Sequence, residues 1–307
     1  MNAFLSALGP VIVIVALGRL LAWRGTIAPE GWRAAERLSY VLLFPLLIIR
    51  ALANAPFETA PWKLAAALLI AQCALALLSL AARGLNFIPR HPTGAIIQSN
   101  ARWNTFVALS IAASLFGEEG LALVAIAAAA MIPTANVISV AALTHFSERT
   151  NGEKPALLKP LATNPLIIAC VIGGALNVAG LPPTGMIDRT MEILAQATIA
   201  LGLLTAGAGV DLGALKRAGL RTFTWSLIRL AGLPLIAIGL ALALGVSGMQ
   251  LAIVAICSAT PTATNGYILA RQLGGDAPLS ANLIAVQTVL AAITMPAAYI
   301  LAMSLGG

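Results

Sequence analysis

The chain has 307 residues, 60% of them hydrophobic and only 9% charged. Water-soluble domains carry about 25% charged residues, so a soluble fold is excluded and a membrane protein is expected. The formal net charge of +7 sits in short loops between apolar runs. It reads as membrane topology and not as a nucleic-acid footprint.

A bilayer crossing needs about 20 apolar residues. The hydropathy pattern predicts ten spans, at 4–23, 38–54, 62–82, 94–116, 119–144, 164–180, 190–210, 221–245, 250–271 and 278–304. The first contains Gly9-Pro10-Val-Ile-Val-Ile-Val-Ala-Leu-Gly18. Met1-Asn2 offers no basic leader, and the first cation, Arg19, follows the apolar run. The span is therefore expected to stay in the membrane and not to be cleaved.

The fourth span is polar inside: Gln98-Ser-Asn100-Ala-Arg102-Trp-Asn104-Thr105. The fifth carries Pro133, Thr134 and Asn136, with His145 at its end. A polar linker, 147–163, separates a first five-helix repeat, 1–146, from a second, 164–307. The sixth span opens Asn164-Pro165 and reaches Gly173, echoing Pro10 and Gly18 at a constant offset of 155. Asn104-Thr-Phe-Val returns as Asn265-Gly-Tyr-Ile, and Met131-Ile-Pro133 as Thr294-Met-Pro296. Duplicated halves of this kind build many secondary transporters, with substrate held near the midplane between the repeats.

Asp211 closes the seventh span and Arg229 lies inside the eighth. The ninth reads Ser258-Ala-Thr260-Pro261-Thr262-Ala-Thr264-Asn265-Gly266-Tyr267, and the tenth holds Asn282, Gln287 and Pro296. Twelve Lys and Arg residues fall in alternate loops, from Arg24 to Arg271. Basic residues mark the cytoplasmic side, so both termini are expected to face outward. With five spans per half, the second half inserts upside-down relative to the first.

Polar groups inside spans are costly and mark function. Spans four and nine are the two most polar interiors, at equivalent places in the two halves. Pro261 and Gly266 predict a broken helix, whose freed backbone groups and helix N-terminus can receive an anion. The candidate substrate residues are Gln98, Asn100, Arg102, Asn104, Thr105, Asn136, Pro261, Thr262, Thr264, Asn265, Gly266 and Gln287. Set against this is a packing reading, in which Asn, Thr and Ser bond between helices and the proline is a tolerated kink. Arg102 reads equally as a carboxylate partner or as a side chain reaching for the interface or a carbonyl. For Arg229 the carbonyl or interface reading is favoured. Asp211 and Arg229 are the coupling candidates, with a helix-end charge the simpler account of Asp211.

All eleven acidic residues lie in loops or at span ends. Cys73, Cys170 and Cys257 sit singly in apolar runs, with no spacing for a disulfide or a metal. No phosphate-binding loop, metal set or nucleophile–base pair is present. The sequence predicts no enzyme, cofactor or metal.

The Gly9-Pro10-Val-Ile start, Asn104-Thr-Phe, Pro133-Thr-Ala-Asn136-Val-Ile, Asn164-Pro165-Leu-Ile, and Ala259-Thr-Pro261 followed by Leu269-Ala-Arg-Gln-Leu-Gly-Gly-Asp276 together resemble the auxin efflux carrier family, over essentially the whole chain. The resemblance implies an all-helical fold of ten spans in two inverted repeats, related to the bile acid sodium symporters. Spans one, two, six and seven would form a scaffold, often dimeric. Spans three to five and eight to ten would form a moving transport domain, with broken helices four and nine crossing at the substrate. It implies carriage of a small organic anion, with the substrate carboxylate near Asn104, in the cell membrane (the inner membrane of a bacterium). Many members carry a proline shortly after that asparagine, where this chain has Ala108-Leu-Ser110-Ile111. The alternatives are a sodium-coupled symporter of the bile acid type and a non-transporting membrane sensor on the same fold.

Overall fold

In the computed structural model, residues 2–55, 62–147 and 163–306 are described. Most of the expected linker 147–163 lies outside them. All the regular secondary structure of the described residues is helical, with no strand among them. Six helical stretches are long and apolar enough to cross a membrane: Phe4–Trp23, Trp62–Gly84, Arg90–His145, Gly185–Ala208, Leu220–Ala243 and Ala277–Gly306. Pro165–Val178 and Gly248–Ala259 are shorter apolar helices.

The helices are α1 (Asn2–Trp23), α2 (Pro29–Leu38), α3 (Phe44–Ala53), α4 (Trp62–Gly84), α5 (Arg90–Ala101), α6 (Thr105–His145), α7 (Pro165–Val178), α8 (Gly185–Ala208), α9 (Leu212–Arg217), α10 (Leu220–Leu227), α11 (Leu233–Ala243), α12 (Gly248–Ala259), α13 (Gly266–Gln272) and α14 (Ala277–Gly306). Single π turns, Ser39–Leu43 and Ile228–Gly232, join α2 to α3 and α10 to α11. Each lies just ahead of a proline, Pro45 or Pro234. A proline removes one helical donor and crowds the preceding turn, which favours a widened turn there. Inside α6, Gly117 takes φ 57° and ψ −140°, a conformation open to glycine because it has no Cβ.

The chain divides into two compact units. Unit 1 is Met1–Trp62, Phe106–Ala129 and Ala162–Gly209; unit 2 is Lys63–Thr105, Ala130–Leu161 and Val210–Gly307.

Unit 1 packs α1 on α8 and α3 on α7 through glycines. A Cβ on Gly18 would strike the main chain of Leu204, and one on Gly173 would strike that of Ile49. The two contacts are related by one offset, since 173 − 18 and 204 − 49 are both 155. Small residues let backbones approach closely where lipid supplies no hydrophobic drive. Asn177 Nδ2 donates to the Leu52, Ala53 and Ala55 carbonyls at the frayed end of α3. Arg50 joins Asp188 (2.7 Å) and Glu118 (2.9 Å).

Unit 2 has its core around α5 and α12. Residues Pro92–Ala101 and Leu251–Ala259 are buried without interruption. The buried run of α12 is apolar but for Ser258, as suits a helix in a protein interior, whereas α5 buries Thr93, Gln98, Ser99 and Asn100, polar groups that need hydrogen-bond partners there. Gly94 lets α5 lie against the Ala142–Leu143 backbone of α6.

Candidate functional site

Two helix breaks organise unit 2. After α5 the chain leaves the helix at Arg102 (φ −84°, ψ 149°) and resumes at Thr105. After α12 it leaves at Thr260 (φ −62°, ψ 149°) and resumes at Gly266. The second break has a local cause, because Pro261 drives the residue before it into extended backbone. The first has no proline. There the freed carbonyls find side-chain partners instead.

Gln72 of α4, wholly buried, donates from Nε2 to the Ala101 carbonyl (2.6 Å) and to Met131 (3.2 Å). Arg229, 0% exposed, donates from Nη1 to the Ser258 carbonyl (2.7 Å) and from Nη2 to the Arg102 carbonyl (3.2 Å). The C-terminal carbonyls of a helix are partly negative and lack intrahelical donors, so these are apt partners. The two caps recur at one spacing: 229 − 72 and 258 − 101 are both 157. Among the described residues, Arg229 Nε has no hydrogen-bond partner, nor has the indole nitrogen of buried Trp103.

The breaks are tied to each other by buried polar side chains. Gln98 Nε2 donates to the Gly266 carbonyl (3.0 Å). The Thr262 hydroxyl lies 2.7 Å from both the Ser99 carbonyl and Gln287 Oε1. Gln287 Oε1 also accepts from the Thr262 amide, while its Nε2 donates to Ser99 Oγ (2.7 Å). This ring satisfies nearly every group it contains, the condition under which a buried polar network rigidifies a core.

Beside the ring, the Arg102 guanidinium is gripped on three sides. Nη2 donates to Asn136 Oδ1 (2.8 Å), Nη1 to Asn265 Oδ1 (3.0 Å) and Nε to Ser139 Oγ (3.2 Å). Asn265 stands at the N-cap of α13, yet its side chain does not cap that helix. It is committed to Arg102. All three acceptors are neutral oxygens, and Arg102 is only half-buried.

Of the residues expected at the site, Gln98, Arg102, Asn136, Thr262, Asn265, Gly266 and Gln287 are joined by these bonds. Asn104 and Thr105 are buried where α6 begins, and Pro261 is buried in the second break. Thr264 is half-buried in the turn before α13. Asn100 turns aside, donating to Ser79 Oγ (2.6 Å). Asp211 is engaged locally: it caps α9 through the Gly213 amide (2.7 Å) and pairs with Arg217 (2.8 Å). Partial burial raises its pKa, but the Ala214 and Gly213 amides and Arg217 hold the carboxyl below its ordinary value. Sequence reasoning passed over Gln72 and Ser139. Gln72 is a single polar residue in an otherwise apolar stretch, and Ser139 follows Thr134 and Asn136 on the same helix without a motif of its own.

Apolar helices of membrane-crossing length, with two helix breaks joined by buried polar side chains, fit a membrane transporter. The chain belongs to the membrane transport protein family that includes the auxin efflux carriers, whose family model matches residues 3–299. It is also similar to an uncharacterized transporter of Methanothermobacter thermautotrophicus, 24% identical over 296 residues, covering 93% of this chain and 94% of that protein.

Proposed function

We propose that this protein is a secondary carrier for a small organic anion, a mono- or dicarboxylate, working by elevator-like alternating access. The observation that carries the reading is Arg102, a half-buried guanidinium at a helix break, held by two asparagine amides and a serine hydroxyl. A guanidinium matches a carboxylate with two parallel, charge-assisted bonds. A substrate carboxylate would displace Asn136 and Asn265 from Nη2 and Nη1. Each freed amide can then turn its NH2 toward the same anion, since asparagine both donates and accepts. Asn104 and Thr105, at the start of α6, would receive the other end of a short substrate.

The ten-span inverted repeat has support in the two contact pairs that recur at fixed offsets, Gly18–Leu204 with Gly173–Ile49 and Gln72–Ala101 with Arg229–Ser258. In this reading unit 1 supplies the scaffold, with a homodimer through it, and unit 2 the moving part. The alternation of basic loops supports a topology with both termini outside the cytoplasm, and the reading puts the protein in the inner membrane of a bacterium.

The test is purified protein in proteoliposomes on a solid-supported membrane, challenged with mono- and dicarboxylates. A saturable current for one class is expected, absent in an Asn104→Ala variant that still folds. Normal flux in that variant removes Asn104 from the site. Silence to every carboxylate from well-folded protein overturns the anion-carrier reading.

A further inference from the structure

The geometry points to Arg229 as a built-in cation that takes the place of a coupling ion at the crossover, so that the carrier needs no sodium. This rests on the carrier reading of the same site. In transporters with broken helices, unwound carbonyls and half-helix C-termini are the groups that hold a coupling Na+. Here two such carbonyls are already taken. The guanidinium reaches the Ser258 carbonyl in the last turn of α12 (2.7 Å) and the Arg102 carbonyl in the other break (3.2 Å). Both of its hydrogen bonds go to main-chain oxygens, and it is completely buried.

A fully buried ion needs strong compensation, and the negative ends of helices are one source of it. At the corresponding end of α5 a neutral amide is enough to cap the Ala101 carbonyl. Capping alone therefore does not require a charge, and at the α12 end the chain uses one. The Arg229 side chain issues from the π turn Ile228–Gly232, a helix irregularity of the kind that often marks functional positions. A tethered cation cannot dissociate. The crossover keeps this positive charge in every state, balancing an incoming carboxylate, and flux then follows substrate gradient and membrane potential with no sodium term.

The test reads melting of the purified full-length protein in NaCl, LiCl and choline chloride at equal ionic strength. The wild type is expected to melt at the same temperature in all three. Arg229→Ala is expected to melt roughly 5–10 °C lower, as befits removal of one buried partner. It should recover part of that loss in millimolar guanidinium or in Na+, and neither ion should shift the wild type. Arg229→Lys, which keeps a cation, should melt near the wild type and stay indifferent to Na+. A saturable rise of wild-type melting temperature with Na+ overturns the inference. So does an Arg229→Met variant as stable as Arg229→Lys, because packing without charge would then suffice. If Arg229→Ala does not fold, the wild-type ion series and the Lys–Met pair still decide. None of these readings needs a substrate, so failure of every carboxylate to cross proteoliposomes would defeat the anion-carrier reading while leaving the role of Arg229 standing.

Discussion

Arg229 donates to the main-chain oxygen of Arg102 at 3.2 Å, so the arginine whose side chain faces the polar crossover has its own backbone anchored by a second arginine. The two perform different work. Arg102 is held by neutral side chains that a ligand can replace, whereas Arg229 is held by main-chain carbonyls that have nowhere else to go. In the proposed carrier the first exchanges partners and the second stays.

This difference predicts how conservative changes behave. Arg102→Lys keeps the charge but loses the fork that matches a carboxylate. Losing one or two charge-assisted bonds costs about 1.5–3 kcal/mol, a 10- to 100-fold weaker apparent substrate affinity. Uptake kinetics in proteoliposomes should show the loss, with melting temperature little changed. Unaltered affinity would remove Arg102 from the substrate's contacts.

Gln72 tests the neutral cap. Gln72→Leu leaves the Ala101 carbonyl without its 2.6 Å donor, and an unsatisfied buried acceptor costs about 1–3 kcal/mol. Gln72→Glu should be worse, because a carboxylate oxygen would then face carbonyl oxygens. The expected order of melting temperature is wild type, Leu, Glu. A Glu variant as stable as the Leu variant contradicts the cap.

The glycine contacts of unit 1 give a test with an internal control. Gly18→Ala and Gly173→Ala each drive a methyl into facing backbone, at Leu204 and at Ile49. Overpacking of this kind costs about 1–3 kcal/mol. Gly174 has nothing within 4 Å of its would-be Cβ, so Gly174→Ala should be neutral or slightly stabilising. Equal melting of Gly173→Ala and Gly174→Ala would contradict the packing.

Much of this was legible before folding, and the exceptions have physical causes. Apolar runs marked the chain as helical and membrane-bound, because hydrocarbon demands long uninterrupted stretches; of the ten expected spans, six helical stretches among the described residues are long and apolar enough to cross. Pro261 announced the second break. The first break carries no proline at all, and its cause is tertiary: Gln72 and Arg229 come from α4 and from the turn after α10 to take the freed carbonyls. No local propensity reveals that. The polar interiors of α5 and of the 260–266 turn pointed to the two breaks, whereas Gln72, the one polar residue between Lys63 and Ser79, and Ser139, three residues after Asn136, offered nothing to separate them from ordinary interhelical bonds. The grouping of Phe106–Ala129 with unit 1 was likewise invisible, since hydropathy reports that a segment is buried in something and not in what.

Glu36, in α2, is a carboxyl whose titration depends on the fold. Burial pushes its carboxyl pKa above the ordinary value of 4.5. A carboxyl that holds its proton more tightly folded than unfolded destabilises the fold at neutral pH, and the penalty fades as pH falls through the raised folded value toward the unfolded one. Glu36→Gln, which cannot ionise, should therefore melt above the wild type at pH 7.5, and the gap should close by about pH 4, near the unfolded carboxyl value. Melting curves of both proteins across that range settle it. A Gln variant that is the less stable of the two at pH 7.5 would mean that the Glu36 charge has a favourable partner that outweighs its burial.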